Sequence, residues 1–276
     1  MTQQRGARPI ESRSIAQWLL KYSHKKVDLA EYASTWKQWL QNTNNKILTG
    51  IEDFAYSDYT QGTSQTFDHF LLRNHKREIT IFPGEFQYHQ CTGRHLKFSD
   101  KINHNSAVII SVPFSDFGKV HPFLFDTLQK CNQFDVPVCL DLAYWGISKN
   151  IELHLEEFPC VTDVTSSLSK PFFTLEQHRV GIRFCREYAN DGISMINEVG
   201  MHNSYSVGLG THYMNQFSCD YMWETYGDSY YATCSDLNLQ FTDTVIFGLG
   251  GEEYHEYNRG VPGNNRVCIS NNLGDL

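Results

Sequence analysis

The chain has 276 residues, 41% of them hydrophobic and 20% charged, which is enough apolar material for one large domain or for a large and a small lobe. Its formal charge of −8 argues against a general nucleic-acid or anionic-membrane surface. No apolar run approaches transmembrane length and Met1 to Glu11 is polar with no signal-peptide core, so a soluble, cytoplasmic protein is expected.

Taken in chain order, residues 12–42 carry a helical pattern, with Ile15, Trp18, Leu19 and Tyr22 followed by Leu29, Tyr32, Ala33, Trp36 and Leu40. Asn42 to Asn45 break it. Thr60-Gln61-Gly62-Thr63-Ser64 then opens a second helix with Phe67, Phe70 and Leu71 on one face. Ile79 to Phe82 reads as a short buried strand stopped by Pro83-Gly84, and Ala107 to Val112 as another stopped by Pro113. Phe123 to Phe134 is helical, and Val136 to Leu142, Cys160 to Ser166 and Val180 to Cys185 are strands. Residues 193–276 are less regular, with strands expected at Leu237–Phe241, Val245–Leu249 and Arg266–Ser270. The alternation predicts a mostly parallel sheet covered on both faces, with ligands beyond the carboxyl ends of its strands. Thr60–Ser64, Phe86, Ser115, Asp141 and Lys170 all fall at strand ends or a helix start, so one rim could collect them.

Eight cysteines are scattered with no Cys-x-x-Cys pair, and free apolar thiols such as Cys139 behave as small hydrophobes. His202 and His212 with Cys219 and Cys234 fit no zinc template, and no metal site is expected.

The most informative stretch is Ser166-Ser167-Leu168-Ser169-Lys170, with Arg179-Val180-Gly181 following. A lysine in a hydroxyl-rich turn after a buried strand can form a Schiff base with a carbonyl cofactor, and an arginine downstream can clamp that cofactor's phosphate. Upstream, Asp141-Leu142-Ala143-Tyr144 offers a carboxylate and a phenol. Each element has a plainer account: Asp141 as a helix cap, Tyr144 as a packed aromatic, Gly62-Thr63-Ser64 as an N-cap, Phe86 as core.

Together these motifs resemble the aspartate aminotransferase superfamily of pyridoxal-phosphate enzymes, the fold type I group, from about residue 56 to the C-terminus. The order matches: a glycine-centred phosphate turn, an aromatic after Pro-Gly, a Pro-containing loop, Asp-x-x-Tyr, Ser-x-x-Lys, Arg-x-Gly, and a late Arg-x-x-x-Ser strand. The resemblance implies a three-layer α/β/α fold with a mostly parallel sheet and a reduced α+β small lobe. Residues 45–192 would form the cofactor-binding domain, 1–44 an N-terminal helical segment and 193–276 the small lobe. It further implies pyridoxal 5'-phosphate as cofactor, Lys170 as the Schiff-base lysine and catalytic proton carrier, and Asp141 at the pyridine nitrogen. Tyr144 and Ser115 would serve the ring oxygen, Phe86 would stack on the ring, and Gly62, Thr63, Ser64, Ser167 and Arg179 would hold the phosphate. Arg266 resembles the arginine that pairs with a substrate α-carboxylate, although an outward arginine on an edge strand would look the same. Tyr22 is a weak match to the tyrosine that reaches a neighbouring subunit's phosphate; helix packing suits it better.

The chain departs from the family pattern where Ser115-Asp116-Phe117-Gly118 stands for the usual Asn-Pro-x-Gly, in a longer Lys170-to-Arg179 spacing with Pro171 directly after the lysine, and in its short length. A second arginine of the kind that selects dicarboxylic substrates has no identifiable counterpart in the sequence. The expected activity is an aminotransferase acting on an amino acid or amine as a homodimer. A decarboxylase or lyase on the same residues, or a non-catalytic pyridoxal-phosphate-fold binding protein, are the alternatives.

Overall fold

The computed structural model describes residues 6–92, 96–98 and 101–276, and all structural statements concern these. The helical run at 12–42 is two helices, α1 (Arg13–Lys21) and α2 (Leu29–Gln41). It divides because His24-Lys25-Lys26 offers nothing to bury, while Asp28 begins a new helix by accepting the Glu31 N–H at 2.7 Å. Tyr32, Trp36, Trp39 and Leu40 of α2 face the core.

Next in the chain come β1 (Lys46–Thr49), β2 (Tyr56–Thr60), α3 (Thr63–Arg73), β3 (Glu78–Ile81), β4 (Leu96–Phe98) and β5 (Ser106–Ser111). They are followed by α4 (Leu124–Phe134), β6 (Val138–Asp141), β7 (Ile151–His154), β8 (Val161–Ser167) and β9 (Gly181–Cys185). The C-terminal part adds α5 (Gly192–Glu198), α6 (Ser204–Gln216), α7 (Tyr221–Asp236), β10 (Gln240–Phe241), β11 (Phe247–Gly250), β12 (Asn265–Cys268) and α8 (Ser270–Leu273).

The main sheet has seven strands in the order β2-β9-β8-β6-β5-β3-β4. Strands β4, β3, β5, β6 and β8 run parallel, and β9 is antiparallel to both β8 and β2. All residues of β5 and β6 are buried, as expected of parallel strands covered on both faces. On one face Ile79, Ile81, Ala107, Ile109 and Cys139 pack against Phe67, Phe70 and Leu71 of α3. On the other, Val108, Ile110 and Leu140 join the larger core with Leu124, Leu128 and Cys131 of α4. This is the three-layer α/β/α arrangement, and the carboxyl ends of β2, β5, β6 and β8 share one edge.

Residues 204–236, which read as irregular, are the helices α6 and α7. Helix α6 is buried nearly all round and carries Gly208 and Gly210, each costing about 1 kcal/mol of helix propensity, so periodicity gives little sign of it; α7 instead buries Met222, Trp223, Tyr226, Tyr230 and Cys234 on one face and exposes Glu224, Asp228 and Asp236 on the other, a helical period that the sequence does carry. Gly210 is there for contact: a Cβ would meet Val180 Cγ1 at 2.5 Å and the Tyr32 ring at 3.2 Å, where α6 lies against α2 and the start of β9. Beyond α7, β10, β11 and β12 form a small antiparallel sheet, and β1 pairs with β7 in a two-stranded parallel ribbon.

Candidate active site

A cavity of about 410 Å³ opens at the carboxyl edge of the main sheet. Ten of the eleven residues singled out above line it: Thr63, Ser64, Phe86, Ser115, Asp141, Tyr144, Ser167, Lys170, Arg179 and Arg266. The eleventh, Gly62, sits directly behind Arg179.

Asp141 ends β6 and is almost fully buried. Its Oδ1 accepts the Ala143 N–H at 2.9 Å. Burial pushes its carboxyl up to about 7; the Ala143 N–H opposes this, the nearby Glu85 charge adds to it, and Lys170 opposes it. Tyr144 is buried, with its ring edge-on to Phe247 at 5.3 Å. Ala143, between the two, also faces the cavity.

At the end of β8 the chain turns on its own hydroxyls. Ser167 Oγ donates to the Val180 carbonyl (3.2 Å), accepts the Ser169 N–H (3.2 Å) and lies 2.9 Å from Ser169 Oγ. The turn delivers half-buried Lys170, whose Nζ donates to the Ala7 carbonyl at 2.9 Å. The N-terminal segment at Gly6 and Ala7 therefore covers this part of the cavity.

Helix α3 begins beside this turn. Its N-cap, Gly62, makes no side-chain cap bond, and Thr63 and Ser64 of the uncapped first turn line the cavity. Arg179 Nη2 donates to the Gln61 carbonyl at 3.1 Å, setting a guanidinium across the same helix start.

Ser115 is held from several sides. Its N–H donates to Ser111 Oγ at 2.9 Å, and its carbonyl accepts from Arg266 Nη1 and, at 3.3 Å, from Arg259 Nη1. Arg259 Nη1 also donates to Ser115 Oγ at 3.2 Å. Arg266, on the edge strand β12, is buried and lies over the Phe247 ring at 4.1 Å, so its side chain is not turned outward.

Sequence reasoning missed Ser111, Ser169, Gln87 and Arg259 in the cavity wall, and Glu85 beneath it. Ser169 had a signal, being the second serine of Ser-x-Ser-Lys. Arg259 had none, because it lies in a Gly/Pro-rich turn where an arginine is unremarked. Burial and the adjacent Arg266 charge lower the proton affinity of Arg259. Tyr22 stays outside the cavity, edge-on to Tyr205 at 5.4 Å and beside His212 at 5.3 Å. Among the described residues no group of three His, Cys, Asp or Glu is arranged to hold a metal ion, and no helix is long and apolar enough to cross a membrane.

No family model and no curated protein matches the sequence. Solved structures do match the fold. An alanine aminotransferase from Pyrococcus furiosus aligns with a TM-score of 0.66 at 12% identity, over 94% of this chain and 82% of that one. A double mutant of Thermus thermophilus aspartate aminotransferase gives 0.67 at 13%, over 97% and 87%. A pyridoxal-phosphate-bound C-S lyase from Staphylococcus hominis gives 0.64 at 12%, over 94% and 85%. What they share with this chain is architecture, the fold type I arrangement.

Proposed function

We propose that this protein is a pyridoxal-phosphate-dependent enzyme acting on an amino acid or amine, with aminotransfer as its reaction. The observation that carries the proposal is the convergence of Lys170, Asp141 and Arg179 on one cavity whose phosphate end has no room for a side chain. A Cβ on Gly62 would stand 2.6 Å from Arg179 Nη2, so the helix start, the guanidinium and the Ser167 and Ser169 hydroxyls form a cradle at backbone distance. The remaining donors fit a pyridine ring: Phe86 and Ala143 can flank it, and Asp141 stands on the cavity floor with a carboxyl poised between charged and neutral.

When bound, pyridoxal phosphate supplies an aldehyde for amine condensation and a ring that withdraws electrons from the substrate's α-carbon. Lys170 Nζ would be the group of this chain that holds it, giving up its bond to the Ala7 carbonyl. Once free, the same amine would be the group that moves a proton between the substrate's α-carbon and the carbon of the cofactor's aldehyde group. Asp141 keeps a proton at the ring nitrogen. Tyr144 and Ser115 donate to the ring oxygen. Arg266, with Arg259 beside it, holds the substrate carboxylate and so orients the bond that breaks.

A division into a cofactor domain at 45–192, an N-terminal segment at 1–44 and a small lobe at 193–276 belongs to the same proposal, as does a cytoplasmic homodimer. Supporting the dimer, Met195, Ile196, Val199 and Met201 put an apolar patch on the surface around α5, with Met201 78% exposed. Light scattering of the purified protein tests that part.

The function is tested by adding pyridoxal phosphate to the purified protein. A yellow protein is expected, with borohydride fixing the label on Lys170 and Lys170→Ala remaining unlabelled. Amino-acid substrates with an oxo-acid acceptor should then yield new amino and oxo acids. Release of carbon dioxide or sulfide instead would assign a decarboxylase or lyase, and a protein that stays colourless would remove the cofactor.

A further inference from the structure

We propose that Glu85 is a positioning residue of this site, its single carboxylate fixing Phe86, Ser111 and Ser115 around the place where Asp141 meets the cofactor ring. The inference rests on the function proposed above and concerns a residue that does not itself line the cavity.

Glu85 is 2% exposed and accepts three hydrogen bonds. Oε1 takes the Phe86 N–H at 2.8 Å and the Ser111 hydroxyl at 2.6 Å, and Oε2 takes the Ser111 N–H at 2.8 Å. With its one proton committed to Glu85, Ser111 Oγ can only accept from Ser115 N–H, as the 2.9 Å contact requires. Ser111 is also the cross-strand partner of Asp141 at the end of β5 and β6. One side chain thus ties together the aromatic that would cover the ring, the strand end beside the ring-nitrogen carboxylate, and the serine at the ring oxygen.

A purely structural turn has no need of a buried charge, which is costly to desolvate and easily replaced by neutral groups. Here three donors converge, so the position demands an acceptor without N–H; a glutamine amide would turn its NH2 toward one of them. The charges acting on this cluster are Asp141 and Arg259, with Asp116, Arg266 and Lys170 around them. Burial pushes the Glu85 carboxyl up, while the Ser111 and Phe86 donors and Arg259 oppose that.

The test compares wild type, Glu85→Gln and Glu85→Asp for pyridoxal-phosphate affinity, for visible circular dichroism per bound cofactor, and for the melting temperature of the cofactor-free protein. Glu85→Gln should lose about tenfold in affinity and most of the visible ellipticity, as expected when one buried acceptor is replaced by a donor, while the cofactor-free protein melts somewhat lower but stays folded at the assay temperature. Glu85→Asp, which keeps the acceptor-only chemistry, should recover part of the ellipticity. Wild-type affinity and ellipticity in Glu85→Gln would overturn the proposal, and so would a fall in melting temperature large enough to explain the lost binding. A wild-type protein that takes up no cofactor fails one step earlier, and sinks the function and this role together.

Discussion

Arg179 Nη2 stands 2.6 Å from where a Cβ on Gly62 would lie, so the two residues share one space at the start of α3. Gly62 also has φ 82° and ψ 175°, a backbone state that is essentially closed to L side chains. Gly62→Ala should therefore strain the turn by about 1–3 kcal/mol and drive Arg179 off the Gln61 carbonyl. The expected outcome is at least a tenfold loss of pyridoxal-phosphate affinity by equilibrium dialysis, by analogy with losing a charge-assisted hydrogen bond. Arg179→Gln should match the affinity loss with little change in melting temperature, because this side chain is exposed. If both variants bind like wild type, this end of the cavity does not hold a phosphate.

Asp141 makes the cofactor-free protein sensitive to pH in a defined direction. Its folded carboxyl titrates at about 7, chiefly because it is buried, against an ordinary value of 3.8. Below about pH 4 the group is protonated in folded and unfolded chains alike and costs nothing. Between about pH 4 and 7 the unfolded chain ionises it while the folded chain does not, so stability falls as pH rises and then levels off. Asp141→Asn cannot ionise. Its stability advantage over wild type should grow across that window to a few kcal/mol at most, then stay constant. Urea unfolding at several pH values reads this directly, and an advantage that shrinks with rising pH would mean the carboxylate is paired, not stranded.

The fold was legible where burial leaves a run in the sequence. Val138-Cys139-Leu140 and Ala107-Val108-Ile109-Ile110 are buried on both sides, and the strands expected to end at Leu142 and Val112 end one residue earlier, at Asp141 and Ser111. The cavity was legible because its side chains follow those ends. What escaped has physical reasons. Helix α6 is buried on nearly every side and so lacks a polar face to give it period. The antiparallel sense of β9 comes from its pairing with β8 across the 168–180 connection, but all five of its residues are buried, so it reads like its parallel neighbours. Arg259 and Glu85 act through tertiary contacts with Ser115 and Ser111, and nothing in their own neighbourhood announces these.

Arg183 tests how strongly the β9 edge of the sheet is tied down. Its side chain is wholly buried and bonds two carboxylates at 2.6 Å each, Nη2 to Asp58 Oδ2 on β2 and Nη1 to Asp191 Oδ2 at the start of α5. Burial alone would raise the Asp191 carboxyl, yet the Arg183 contacts hold it below the ordinary carboxylate range. Arg183→Met should cost about 3–5 kcal/mol, since it takes the guanidinium from two buried carboxylates and leaves Arg73, at 3.4 Å, and His69, at 3.6 Å, beside Asp191 alone. The cost should shrink at acid pH, as the Asp191 carboxyl, held low by Arg183, takes up its proton. A triple variant with Asp58→Asn and Asp191→Asn should regain much of the loss in guanidinium unfolding, whereas an equal loss in the triple would assign the cost to packing.

Tyr144 separates packing from chemistry in a single atom. Tyr144→Phe keeps the ring that lies edge-on to Phe247 at 5.3 Å, so folding should be unchanged. What goes is a donor facing the cavity. A hydroxyl that donates to an oxyanion stabilises the charge, and removing it raises the proton affinity of the group conjugated to that oxyanion. The variant should therefore still bind pyridoxal phosphate and still attach it to Lys170, but the visible absorbance should titrate at higher pH than in wild type. Spectrophotometric titration checks this without any substrate. A midpoint that does not move would place the Tyr144 hydroxyl away from the ring oxygen and leave Ser115 as its donor.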